Sequence, residues 1–231
     1  MTRSVLTIVQ DAATKLGIAQ PSVLFGSTDR TAIELREALN EAVDKILHAH
    51  DWQRLLTLQT YIGDGTTTQF SIPADYLRMP KSAEVWSSRL QAPLAHISPE
   101  DWLQLDTRDY DVATGVWTIF GGEFVFKPAP ASGETTRFWY ITNKVCTNDT
   151  SGTKAQFTED DDTFLLDDRV LELVLVWLFR TQKGLDYAED MATAEIALAR
   201  MIERDKGARV ITQRSRRSVG AKIAWPGVLS P

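Results

Sequence analysis

The sequence has little cysteine, little histidine and no long hydrophobic run. A single cysteine, Cys146, excludes a framework of disulfides within the chain and fits a reducing compartment. The longest unbroken apolar run, from Leu173 to Phe179, has seven residues, whereas a membrane helix needs about 20. The N-terminus lacks the basic and then apolar pattern of a secretory signal peptide. We therefore expect a soluble protein without a membrane span or an export signal.

Acidic residues are absent from the last 25 positions, Gly207 to Pro231, which we call the C-terminal arm. The first 206 residues carry 20 basic and 31 acidic side chains, a net charge of −11. The arm follows no helical or strand period, so we expect it to become ordered only against a partner. Its candidate partner-binding residues are five basic and three apolar side chains: Arg209, Arg214, Arg216, Arg217, Lys222, Ile223, Trp225 and Leu229.

Three interpretations of the arm are open. Its arginines could pair with the phosphates of a nucleic acid, or they could dock on an acidic protein surface with Trp225 as a buried anchor. The arm could also be a solvated, disordered end. The Trp225-Pro226 pair favours a protein partner, because a phosphate-binding arm has no need of an apolar anchor.

Apolar residues at helical spacing predict four long helices. For the second, Thr28, Asp29 and Thr31 are each suitable N-caps. The third is apolar nearly all round between Leu165 and Arg180, which predicts a central, buried helix. The predicted helices run from Ser4 to Leu16, from about Thr31 to Trp52, from Thr163 to Lys183 and from Asp186 to Lys206.

The last predicted helix carries a row of residues at alternating spacings of four and three. Such a row packs against another helix, either in the same bundle or in a neighbouring subunit. We predict subunit packing for its members, which are Tyr187, Met191, Ala194, Leu198 and Met201.

Between the helices, β-branched and aromatic residues broken by glycine and proline predict short strands. Two hairpins are indicated, one around Gly63 to Thr66 and one around Gly121-Gly122. Ser98-Pro99 predicts the start of a brief helix. The polar stretch from Asn143 to Asp162 has no period and is predicted as a loop. Further strands are predicted at Ala83 to Trp86 and at Thr135 to Ile141.

These elements predict an α+β fold. The N- and C-terminal helices, residues 1–56 and 163–206, are expected to form an antiparallel helical bundle. A small antiparallel β-rich domain, residues 57–162, is inserted between them. The extended basic arm comprises residues 207–231.

The histidines do not indicate a metal site. His48 and His50 are two apart on the predicted helix and point about 200° away from each other, so they cannot bind one ion together. His96 has no second ligand at a zinc spacing.

Two acidic stretches could in principle bind a cation or act in hydrolysis. Glu159 to Asp162 lacks the EF-hand spacing, and we expect these acids to cap the helix predicted from Thr163; cation binding there stays open. Asp106, Asp109 and Asp111 form a looser acidic loop. Cys146 has no histidine near it in sequence, and no motif for a catalytic nucleophile, a phosphate loop or zinc is found. We therefore predict neither enzyme activity nor a cofactor.

The order of these elements, with several local motifs, resembles that of phage head-to-tail adaptors, the class of the tail accessory factors and tail tubular protein A. The resemblance covers roughly residues 5–206. The motifs are Leu39-Asn40-Glu41-Ala42, Asp51-Trp52-Gln53-Arg54-Leu55, Ile72-Pro73-Ala74-Asp75-Tyr76-Leu77-Arg78, Phe124-Val125-Phe126-Lys127-Pro128-Ala129-Pro130, Ser132-Gly133, Phe138-Trp139-Tyr140 and the Trp177 helix.

The resemblance implies a structural virion protein at the head–tail junction, present in the host cytoplasm during assembly. Members form a ring, commonly of twelve copies, between the portal protein and the next tail component, a nozzle or a tube. Double-stranded DNA passes through the ring, and an acidic body would repel its phosphates. The resemblance implies no membrane partner. The alternatives are a DNA-binding protein that uses the basic arm and a tail-associated hydrolase that uses the acidic stretches.

Overall fold

Four of the α-helices begin at a residue whose side chain accepts a hydrogen bond from the first turn. In the computed structural model, which describes residues 3–108, 112 and 114–206, Ser98 caps a helix with Pro99 in its first turn, as predicted. Asp29 is the N-cap among the three suitable residues. The described residues form five α-helices and one short 3-10 helix (Gln53–Leu55); the α-helices are α1 (Val5–Leu16), α2 (Arg30–Ala49), α3 (Pro99–Thr107), α4 (Asp168–Gln182) and α5 (Ala188–Asp205).

The second helix ends earlier than predicted. α2 stops at Ala49, and His50 already has an extended backbone. Trp52 folds back so that its indole N–H donates to the Ile46 carbonyl at 2.8 Å, and its ring is buried. The apolar period therefore continues past the last helical residue, because the indole packs on the helix end and satisfies one of its free carbonyls.

Short strands fill most of the region between α2 and α4. In chain order they are β1 (Leu56–Ile62), β2 (Gln69–Ser71), β3 (Tyr76–Arg78), β4 (Val85–Ser87), β5 (Ala92–His96), β6 (Val116–Phe120), β7 (Glu123–Lys127), β8 (Thr135–Thr142), β9 (Cys146–Asn148), β10 (Gly152–Lys154) and β11 (Thr163–Phe164). The larger sheet has the order β1-β8-β4-β5-β6-β7-β2, with β3 also paired to β8, and the smaller has the order β10-β9-β11. The fold is thus mixed α+β with antiparallel pairing everywhere except between β5 and β6.

The larger sheet curls, so that its first and last strands come together. Tyr61 on β1 stacks on Phe70 of β2 at 4.9 Å between ring centroids. Phe124, Phe126 and Phe138 complete an aromatic core on the inner face. The opposite face of β1, β8 and β4 is left to solvent.

The two predicted hairpins have different outcomes. The one at Gly121-Gly122 is confirmed: β6 pairs with β7, and both glycines have the positive φ that a type I′ turn requires. The one around Gly63 to Thr66 is wrong, because β1 pairs with β8 and β2 pairs with β7. Gly63 passes the Pro130 carbonyl so closely that a Cβ would lie 2.4 Å from its oxygen. The chain crosses there to another strand, and an alternating pattern does not say which strand will be the partner.

The predicted polar loop at 143–162 and the helix start at Thr163 are also wrong. The loop contains β9 and β10, Thr163 belongs to β11, and α4 begins at Asp168 after the N-cap Asp167. Strands of two or three residues are too short to show a period. Buried Cys146 and Phe164 instead anchor this small sheet in the helical core.

The helical core is organised around α4, which contacts α1, α2 and α5. Residues of the small sheet pack in this same core, whereas the aromatic residues of the larger sheet form a separate cluster. The division into residues 1–56 with 163–206, and 57–162, stays a prediction. The described part of the chain has no membrane-spanning helix, since none of its helices combines the required length with enough apolar residues.

Candidate functional site

The solvent face of the larger sheet carries four large apolar side chains, Leu58, Ile62, Trp86 and Trp139. Together with Arg137 we call them the outer sheet face. Leu58 lies directly opposite Trp139, and Arg137 lies opposite Trp86. Because residues paired across neighbouring strands point to the same side of a sheet, the strand register places both pairs on one surface. The exposed fractions of Leu58, Ile62, Trp86 and Trp139 are 44%, 68%, 48% and 46%.

This surface is large for a single chain. The four apolar side chains expose roughly 400 Å², near the size of the largest apolar patch on a typical monomer and about half of one side of a standard interface. Exposed aromatic residues with an arginine among them are typical of protein interfaces. The outer sheet face is therefore a candidate docking surface.

A second candidate surface is an open groove between α4 and α5, which we call the α4/α5 groove. Its volume is about 1260 Å³. Leu173 and Ala197 contribute apolar lining, as does Ile196, whose exposed fraction is 54%. The charged residues that line it are Arg169, Arg200, Arg204, Lys206, Asp167 and Glu203.

The charge of the α4/α5 groove is positive, although the first 206 residues are acidic overall. Arg204 Nη2 lies 3.0 Å from Asp167 Oδ2, so these two charges offset each other. The remaining charged lining is three basic residues, Arg169, Arg200 and Lys206, and one acidic residue, Glu203. The groove therefore suits an acidic partner with an apolar centre.

The acids at 159–162 form hydrogen bonds and ion pairs within the fold and do not cap a helix. The prediction that they cap a helix starting at Thr163 is therefore wrong. Asp162 is buried, and its Oδ1 lies 2.6 Å from Lys154 Nζ. Asn148 Nδ2 lies within 3.1 Å of carboxylate oxygens of Glu159, Asp161 and Asp162. Asp160 accepts the Leu24 and Phe25 N–H groups.

The electrostatics of Asp162 agree with this role. Burial raises its pKa, but hydrogen bonds from the Lys154 ammonium and from the N–H groups of Thr158 and Glu159 outweigh burial and lower it. Glu159, Asp161 and Asp162 could bring three ligand atoms within 4.8 Å of one another. The ammonium of Lys154 and the amide of Asn148 are their partners in the structure, and we assign no metal there.

Cys146 is a structural thiol. It is buried, with Sγ 3.2 Å from the Gln156 carbonyl oxygen. Burial, with a smaller contribution from the Asp162 carboxylate, raises its pKa to about 11. A thiol in such a site is a poor nucleophile at neutral pH.

The histidines and the loose acidic loop are not brought together. His48 lies on α2 and its Nδ1 is 3.2 Å from Asp44, whereas His50 lies past the helix end, 3.4 Å from Asp205. The argument from helical spacing was therefore wrong for His50. Asp106 is 3.8 Å from Lys127, while Asp109 and Asp111 lie outside the described residues.

Comparison with known proteins decides the family. The model of the SU10 adaptor protein family matches residues 3–224, nearly the whole chain. The chain belongs to this family. The resemblance to phage head-to-tail adaptors is thereby confirmed, and the adaptor is a phage structural protein and a component of the virion. Structural adaptor families are not generally enzymatic. No curated protein matches the chain.

In this adaptor, the row on α5 predicted for subunit packing contributes to the chain's own core. Ala194 and Met201 are buried, and Leu198 packs against the same cluster. Tyr187 lies 6.4 Å from Trp177 of α4 between ring centroids. A contact of this row with a neighbouring subunit stays a prediction.

The arm of the adaptor lies outside the described residues, but its starting point is defined. Asp205, at the end of α5, accepts the Gln53 N–H at 3.0 Å. The family match continues through the arm's basic residues to Ala224. The end of α5, which precedes the arm in sequence, therefore lies beside the segment that joins α2 to β1.

Sequence reasoning missed both exposed surfaces of the adaptor. A signal for the outer sheet face was present in the sequence, because exposed and buried side chains alternate along β1 and β8. Leu58, Trp139 and Arg137 occupy the exposed positions of this alternation. Ile196 and Arg200 stand four apart on α5, outside the row predicted for subunit packing. Neither pattern says which face of an element stays exposed.

Proposed function

We propose that copies of this protein form a ring that joins the phage portal to the next tail component. The ring would form part of the channel through which DNA leaves the capsid. Family membership over residues 3–224 carries this proposal. A homo-dodecameric ring under the portal, assembled in the host cytoplasm, is the arrangement that we expect. Its helices form an antiparallel bundle from which the arm extends.

The arm is the portal-binding element. Its five basic residues, without an acidic residue among 25, suit an acidic portal surface. Trp225 would fill an apolar pocket there, as a buried aromatic anchor does in other interfaces. The helix before the arm, α5, is held at its end by the hydrogen bond from the Gln53 N–H to Asp205.

The outer sheet face is the surface for the downstream tail component. One copy offers roughly 400 Å² of apolar area, which is too little for a stable interface alone. Repetition around a ring multiplies this area, so a partner that binds the assembled ring gains what a single copy cannot give. The net charge of −11 on residues 1–206 would keep DNA from adhering to the channel.

The test is to mix the purified protein with portal rings and to image the product by electron microscopy. We expect a closed ring under the portal for the full chain. Deletion of residues 207–231 should abolish attachment, while the circular dichroism spectrum and the unfolding midpoint stay unchanged. Attachment of the truncated protein at full affinity would refute the role of the arm.

A matched pair of variants separates the chemistry of the arm. Trp225→Ala removes the anchor and keeps the charge, whereas alanine at Arg209, Arg214, Arg216 and Arg217 removes charge and keeps the anchor. Both should weaken portal binding. Binding to duplex DNA that depends steeply on salt, and that is lost only in the arginine variant, would instead favour a DNA-binding arm.

A further inference from the structure

Helix α3 is the least embedded helix of the described chain. It has no buried residue. Its Trp102 ring lies 6.1 Å from that of Phe120, and Lys127 Nζ donates to the Leu105 carbonyl at 3.2 Å. A helix of this length is not stable alone in water. It is kept on the surface by these contacts and by its Ser98 cap.

The exposed side of α3 is acidic with an apolar centre. Leu103 is 60% exposed. Glu100 and Asp106 lie three residues before and after it, so the three side chains share one face of the helix; Asp106 also lies 3.8 Å from Lys127 Nζ, so Glu100 is the main free charge of this face. Asp101 adds an exposed carboxylate in the first turn. An exposed helix face with a central apolar side chain and charged neighbours resembles the binding face of a helical peptide.

The α4/α5 groove offers the complementary chemistry. Ile196 is its exposed apolar side chain, and Arg200 stands one turn further along α5. Arg169 lines the groove from α4. An acidic helix with a central leucine can therefore place the leucine on Ile196 and its carboxylates near the two arginines.

Two observations favour a second copy as the source of that helix. Within one chain α3 packs on β6, and no residue of α3 lines the groove. Two grooves facing each other would bring like charges together, whereas α3 in a groove brings unlike charges together.

We infer that α3 of one copy binds in the α4/α5 groove of the next copy. The inference rests on the ring assembly proposed above and identifies a subunit contact for it. Because the two surfaces differ, the contact is heterologous, and heterologous contacts close into rings when the rotation between subunits allows it.

Disulfide trapping tests the contact directly. Full-length Leu103→Cys and Ile196→Cys are mixed and oxidised at high protein concentration, with the native Cys146 protected by its burial. We expect the mixed dimer to exceed both homodimers about tenfold, and high salt to reduce the excess. The control pair is Leu103→Cys with Ile62→Cys, which is at least as exposed. Equal yields in the two mixtures would overturn the inference.

Complementation tests the polarity of the contact. A groove variant, Ile196→Asn with Arg200→Ala, and a helix variant, Leu103→Lys with Glu100→Lys, should each fail to assemble alone. Mixed together they should form only a one-to-one dimer, because each retains one intact surface. Rings formed by either variant alone, or the absence of a dimer in the mixture, would contradict the head-to-tail contact. Glu189→Lys, which also removes an acid from a helix's first turn, is the matched control and should assemble normally.

Imaging on the portal distinguishes the two proposals. If wild-type protein forms rings on the portal but the 103–196 disulfide is not enriched, the subunit contact is wrong and the adaptor ring stands. If the disulfide is enriched but no ring binds the portal, the contact stands and the proposed position in the virion fails.

Discussion

Glu172 shows how a charged side chain is retained inside the helical core. Only 3% of its side chain is exposed, and it forms ion pairs with Arg3 and Lys15. Burial raises its pKa, but the hydrogen bonds from Lys15 and Arg3 outweigh burial and lower it. The same arginine pairs with Asp11, so the network ties the N-terminus and α1 to α4.

Removal of the Glu172 charge should therefore destabilise the fold. We expect Glu172→Gln to lower the free energy of unfolding by about 2 kcal/mol at neutral pH, because two charge-assisted hydrogen bonds are lost. Urea unfolding measures this. Glu34→Gln is the control, since Glu34 pairs with Lys183 at the surface and should change stability far less.

The contribution of Glu172 to stability should also depend on pH in a definite direction. The pKa of Glu172 is lower in the folded protein than the ordinary value of 4.5, so the unfolded chain binds the proton more readily. The stability that Glu172 contributes is complete above 4.5 and is lost as pH falls through the folded pKa. The difference between wild type and Glu172→Gln should close on acidification. A difference that stays constant down to acid pH would show that the lost charge is not the cause.

At the scale of elements, the small sheet depends on Lys154. Its ammonium lies 2.6 Å from the buried carboxylate of Asp162, and the Lys154 carbonyl lies 3.4 Å from Cys146 Sγ. Lys154→Met would leave Asp162 buried without its cation, which should promote local opening of β9 to β11.

Cys146 reports this opening. We expect its reaction with a thiol reagent to be roughly tenfold faster in Lys154→Met than in wild type, because the thiol reacts only when the small sheet opens. Lys144→Met removes a more exposed lysine, 3.8 Å from Asp75, and should leave the labelling rate unchanged. Equal labelling rates in all three proteins would show that Lys154 does not keep the small sheet closed.

The elements also show what a sequence determines locally. Ser98-Pro99 and Gly121-Gly122 were predicted because capping and tight turns depend on a few adjacent residues. The pairing of β1 with β8 was not, since it joins residues some 80 positions apart and is fixed by the crossing at Gly63. The three-residue strand at Cys146 was missed because its stability comes from burial in the helical core.

The same limit applies to the candidate surfaces. Composition located the basic arm, because a charge difference needs no fold to be seen. The outer sheet face exists only after β1, β8 and β4 are aligned, which brings Leu58 beside Trp139 and Arg137 beside Trp86. The positive groove likewise exists only where α4 and α5 meet.

For the whole molecule, we expect the two proposed attachments, of the arm to the portal and of the outer sheet face to the tail component, to be independent. The helix that precedes the arm, α5, ends beside Gln53, whereas the outer sheet face belongs to strands whose other side packs on the aromatic core. Loss of one attachment should leave the other, because the side chains involved do not share a core. Distant surface sites of this kind are usually additive.

We therefore expect the double variant Trp86→Ser with Trp139→Thr to bind the portal as a ring but to fail to recruit the downstream tail component. Both side chains are about half exposed, so each substitution should lower the free energy of unfolding by about 2 kcal/mol, roughly half the cost of truncating a fully buried aromatic side chain, and binding to the portal shows that the variant is folded. Sedimentation of portal complexes with the tail component, followed by electron microscopy, measures recruitment. Leu185→Ser removes an exposed apolar residue outside the outer sheet face and should recruit the tail component normally. Recruitment by the double variant at the wild-type level would show that the tail component binds another surface, whereas loss of portal binding would show that the two attachments are coupled.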